Sequence, residues 1–160
     1  MQATLIGRPP YLFKGRENLS AMTNVVGLAG LDIVQGLAAT GSVAGVKVLA
    51  EVVPTAEFVA YPNCKLLLTK WIEPRAAQVG EEVTVYLRYF NKALEPMADV
   101  AVSDSLVGRL EYVPGTAKSD RPASFSVQAN EAGSLILRWE IAGRLLPGET
   151  GLLTFKARVR

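Results

Sequence analysis

Whatever chemistry this chain carries has to be done without histidine, of which its 160 residues contain none. That removes Ser-His-Asp and Cys-His catalysis, His-ligated zinc and a His-based pH switch. Cys64 is the single cysteine, so no intrachain disulfide can form, and beside Pro62 and Asn63 it reads as a small, partly buried thiol. Asp99 with Asp104, or Glu81 with Glu82, could offer oxygens to calcium, but such a site needs about six to eight of them and no dense acidic loop is present. Nothing singles out two carboxylates for glycoside hydrolysis. Lys70 and Asn91 are residue types of an internal isopeptide crosslink, which needs a buried lysine, an amide and a nearby carboxyl. Ordinary burial preferences instead put Lys70 in solvent and Asn91 in a turn. Trp71, Tyr86, Tyr89 and Phe90 could form a sugar-binding platform, although aromatics on strands more often pack in a core or across strands. The expectation is a protein with no catalytic residue, no metal and no cofactor.

The stretch that must position most of these side chains is QVGEEVTVYLRYFNK, residues 78–92. Between Gly80 and Asn91, Val83, Val85, Leu87 and Tyr89 alternate with Thr84, Tyr86, Arg88 and Phe90. Period-two alternation of β-branched and aromatic residues between turn formers predicts a strand with one face in a core. Further strands are predicted over 66–72, 100–103, 110–113, 125–128, 135–141 and 153–159. Pro114-Gly115 and Pro147-Gly148 mark turns whose glycines supply the needed φ freedom. Asn91 can hydrogen-bond its own backbone and accept left-handed geometry, and Asp104 can turn the chain by accepting backbone N–H groups in SDSL. Seven strands in about 95 residues, with no convincing helix, predict an all-β fold: an immunoglobulin-like antiparallel β-sandwich over residues 64–160. Trp139 falls on the buried face of a late strand and should anchor its core.

Residues 1–63 read as a largely extended N-terminal extension, with a strand over 46–53 ending near Pro54 and a boundary at Tyr61-Pro62-Asn63. Leu5, Ile6, Tyr11, Leu12 and Phe13 are apolar, and Pro9-Pro10 keeps them extended, so this tail needs a surface to lie on and is the expected subunit contact. Asn18-Leu19-Ser20 fits the glycosylation sequon. Residues 19–46 carry one charge, Asp32, yet their glycines and alanines leave too little large apolar surface for a membrane span. The first residues lack a basic stretch followed by an apolar run, so either an export signal has been removed or the protein is intracellular. A net charge of +2, from 17 basic and 15 acidic residues, is too balanced for a nucleic-acid partner.

Residues 66–159 resemble a DUF11-type repeat domain of bacterial cell-surface proteins. The resemblance rests on Lys70 with Pro74, then VGEEVTVYLRYFN, DVAVSDSL, LEYVPGTAKSD, LRWEI and LLPGETGLLTFKARVR. It implies an immunoglobulin-like sandwich, export to the bacterial surface and a structural or adhesive role without enzymatic activity. The chain departs from the common pattern in having one copy, and the resemblance says little about residues 1–64. Two functions follow as expectations. One is an extracellular filament or envelope subunit that polymerises head-to-tail with itself by strand donation from its N-terminal segment. The other is a monomeric adhesive module that binds surface glycans.

Overall fold

The computed structural model describes residues 25–27, 36–52, 65–131 and 133–160. Their regular elements are all strands: β1 (Val25–Gly27), β2 (Leu37–Val43), β3 (Val46–Leu49), β4 (Glu51–Val52), β5 (Leu66–Glu73), β6 (Ala76–Gln78), β7 (Glu82–Asn91), β8 (Met97–Ser105), β9 (Leu110–Tyr112), β10 (Lys118–Ser119), β11 (Ala123–Ala129), β12 (Leu135–Ile141) and β13 (Thr150–Val159). One sheet runs β10-β13-β7-β5-β4, with β9 also on β13; the second runs β11-β12-β8-β2-β3. Their inner faces pack into one core, which makes the chain an all-β sandwich. β1 and β6 form a separate two-stranded ribbon.

The alternation in β7 is what builds the first sheet. Val83, Val85, Leu87 and Tyr89 are all buried, while Thr84, Tyr86, Arg88 and Phe90 on the other face are half-buried. β7 pairs antiparallel with β5 on one side and β13 on the other. Gly151 of β13 lies opposite Tyr89, and a β-carbon there would overlap the Tyr89 ring, so the glycine makes room for a large core aromatic.

The strands from β5 onward form a sandwich, but with β6 set aside and β9–β10 taken as one strand their order is not that of a constant-type immunoglobulin domain. Counting β5, β7, β8, β9–β10, β11, β12 and β13 as first to seventh, the sheets read four-seven-two-one and five-six-three. The fifth and seventh strands have exchanged sheets relative to the constant-domain arrangement.

Two expectations change. The strand over 46–53 is broken: Val46–Leu49 pairs with β2 in one sheet, and Glu51–Val52 runs parallel to β5 in the other. Ala50, whose N–H donates to Ala39 O at 2.8 Å, is the crossing point. β2 sits between β8 and β3 and buries Leu37, Ala39 and Val43 in the common core. The expected division between residues 63 and 64 therefore separates strands that share one core, and the sandwich includes Leu37–Val43.

Turn chemistry repeats. In Gln78-Val79-Gly80-Glu81 and Leu146-Pro147-Gly148-Glu149 the fourth N–H donates to the first C=O, at 3.0 Å in both. The glutamate carboxylate accepts the first N–H, at 2.7 and 2.6 Å. The third residue is glycine at φ 95 and 79, the left-handed position that a type II turn demands. The N–H of Leu146 is the main reason the Glu149 carboxyl is held below its ordinary range.

Candidate functional site

The alternation of β5 puts Lys70 in phase with Leu66, Leu68 and Ile72, all buried. Asp104 on β8 is in phase with buried Val100 and Val102. The two strands lie in opposite sheets, so both side chains enter the core from opposite walls. Nζ of Lys70 stands 2.7 Å from Oδ2 of Asp104, and the side chains are 1% and 0% exposed. No described residue other than Lys70 reaches either Asp104 oxygen. Burial pushes the Asp104 carboxyl well above its ordinary range, against the opposing charge of Lys70. The expectation of a solvated Lys70 is thus overturned, and so is the expectation that Asp104 turns the chain. β8 continues through Asp104 to Ser105, and its carboxylate faces lysine instead of backbone N–H groups.

Asn91 ends β7 fully buried and away from Lys70, which is paired with Leu87 four residues earlier. Its Nδ2 donates to Glu95 O at 3.0 Å and to Leu145 O at 2.8 Å, and its Oδ1 accepts from Ala93 N–H at 2.8 Å. The last bond is the expected local turn contact. Left-handed geometry is not adopted at Asn91. Its backbone joins the same hub, accepting from Gly148 and donating to Glu149. One amide thus fastens the β7–β8 and β12–β13 connections together. Asn91→Asp turns the donor into an acceptor facing two carbonyls, and is expected to lower stability by about 2–4 kcal/mol in urea unfolding. A change within experimental error would show that the carbonyls find other donors.

The other sequence candidates separate. Glu81 is engaged in its turn, and Glu82 pairs with Arg158 at 3.0 Å. Asp99 is exposed and Asp104 buried. Among the described residues no group of three or more His, Cys, Asp or Glu could hold a metal. Trp71 and Tyr86 stack on the outward face of the first sheet, with centroids 5.0 Å apart and planes within 5°. Each ring thereby gives one face to the other. Tyr89 is a core residue instead: its hydroxyl has no partner among the described residues, and burial, helped by the charge of Asp120, pushes its pKa up to about 12. Leu5, Ile6, Tyr11, Leu12, Phe13, Asn18 and Cys64 lie outside the described residues.

The surface feature that sequence reading missed is the β11 edge. β11, ASFSVQA, pairs with β12 on one side and with no strand on the other among the described residues. The other outer strands of the two sandwich sheets carry Lys47, Glu51, Glu111 or Lys118; β11 carries no charge. Phe125 and Val127 point toward the core but remain 37% and 41% exposed. Phe125 tilts against Trp139 at 4.9 Å, so this apolar lip continues into the interior. The signal was an uncharged alternating run of seven residues bounded by Pro122 and Asn130. At the adjoining end of the sandwich an open cleft of about 590 Å³ is lined by residues that include Ser105, Asn130 and Glu131.

No helix among the described residues is long and apolar enough to cross a membrane. No protein-family model matches the chain, and a search of curated proteins finds no relative.

Proposed function

We propose that the protein is a non-enzymatic extracellular structural subunit, which assembles into a bacterial surface filament or envelope scaffold by lending its N-terminal segment to a neighbouring copy. The observation that carries this reading is the β11 edge. Natural edge strands are usually blunted by charge, proline or a bulge. β11 has seven residues, no charge and an apolar lip. An added strand would gain main-chain hydrogen bonds and cover Phe125 and Val127. The apolar segment around Leu5, Ile6, Tyr11, Leu12 and Phe13 has the composition for that place. A donor that fits a neighbour's edge and not its own makes an open, head-to-tail assembly. The resemblance of residues 66–159 to DUF11-type repeats supports the same setting.

Full-length protein is expected to form long assemblies by light scattering and negative-stain imaging. Deleting residues 1–15 should leave a folded monomer, and Val127→Lys, which charges the acceptor edge, should do the same. A full-length chain that stays monomeric at high concentration would favour the second reading, a monomeric adhesive module in which the outward Trp71–Tyr86 stack meets a glycan.

A further inference from the structure

We propose that Lys70 and Asp104 condense into an intramolecular amide, a covalent crosslink between β5 of one sheet and β8 of the other. The inference goes beyond the filament reading and does not depend on it. The two groups are already in contact, with Nζ 2.7 Å from Oδ2 and both side chains out of solvent. No described residue other than Lys70 reaches the carboxylate. The cross-strand neighbours are apolar: Leu87 beside Lys70, and Leu37 and Leu137 beside Asp104. Two charges in such a place are costly without supporting hydrogen bonds. Moving one proton from Nζ to the carboxylate leaves a neutral amine and a neutral acid, and burial favours that acid at Asp104.

An amine and a carboxylic acid are the two reactants of amide formation. The Nζ lone pair attacks Cγ, the N–C bond forms and the C–OH bond breaks. The hydroxyl leaves with one amine hydrogen as water. No oxidant, nucleotide or metal enters the balance. Attack within one folded chain benefits from effective molarities that reach about 10⁵–10⁸ M in well-oriented systems. The product removes both buried charges and adds a covalent tie between the two sheets inside their shared core, which suits a chain that carries load. Asn91 is not the acyl partner, since its amide is committed to Ala93, Glu95 and Leu145.

Intact-mass spectrometry of the full-length folded protein, followed over prolonged incubation, reads this directly. The expected mass is below that of the sequence by one water, about 18 Da, as a covalent modification requires. Trypsin should then release residues 66–75 joined to residues 93–109, with cleavage blocked at Lys70. Lys70→Arg and Asp104→Ala should each keep the full mass. Should either variant fail to fold, the peptide map of the unaltered protein decides alone. A full mass that persists in the folded protein, or a water loss that maps elsewhere, overturns the proposal and leaves a buried ion pair.

Discussion

A chain cut back to residues 64–160 is expected to lose the cooperative melt that a boundary at Tyr61-Pro62-Asn63 would preserve. β2 is an internal strand of the second sheet, and its removal takes Leu37, Ala39 and Val43 out of the common core. Burying Leu37 and Val43 contributes on the order of 1.5–3 kcal/mol each, and the backbone pairing of Leu37–Val43 with β8 goes with them. The cut also bares one wall of the Lys70–Asp104 pair, because Leu37 is the cross-strand neighbour of Asp104. Net stabilities of single domains are only about 5–15 kcal/mol, so the loss takes a large share of the margin. A chain beginning at residue 36 keeps β2 and should melt cooperatively. Circular dichroism with thermal unfolding of both truncations checks this. A sharp transition in residues 64–160 alone would mean that the seven C-terminal strands form a sufficient core without β2.

The strands that could be read from sequence and the one that could not differ in side-chain size. β7 and β12 run over 82–91 and 135–141, as the alternation predicts, because large residues on the buried face make the period obvious. β2 is LAATGSV, whose alternating buried positions are occupied partly by Ala39 and Gly41. Gly41 looks like a strand breaker, but a β-carbon there would come within 2.5 Å of Met97 Sδ, so the glycine is needed for close packing. Asp104 failed for another reason. Its phase with Val100 and Val102 pointed inward, but the general preference of aspartate for turns outweighed the period. Lys70 was in the same position, in phase with Leu66, Leu68 and Ile72. A lysine and an aspartate that both fall on buried phases of facing strands are better read as each other's partner. The β11 edge was visible as a run but not as an edge, since lateral neighbours are fixed by long-range pairing that local pattern does not carry.

Replacing Trp139 by alanine is expected to be among the most damaging single changes. Trp139 is 1% exposed and sits on β12, whose partners are β8 on one side and β11 on the other. Its ring contacts Phe125 at 4.9 Å and Phe155 at 5.8 Å between centroids. Tyr112 touches the same two phenylalanines, at 5.9 and 6.1 Å, so four aromatics from β9, β11, β12 and β13 form one cluster that bridges both sheets. Truncating a buried tryptophan removes its transfer energy and leaves a cavity, together about 3–5 kcal/mol. The aromatic contacts add about 0.5–1.5 kcal/mol per pair beyond area. Trp139→Phe keeps a ring in the site and should lose less, while Arg138→Ala on the outward phase of the same strand should be nearly neutral. Urea unfolding of the three variants measures these differences. A loss below about 1 kcal/mol for Trp139→Ala would mean that the cluster closes over the gap, which would require Phe125, already 37% exposed at the edge, to swing inward. In that case the β11 lip would shrink, and the same substitution would weaken the assembly of the full-length chain. A large loss with assembly of the residual folded fraction intact would separate the core role of Trp139 from the edge that β11 offers to a neighbour.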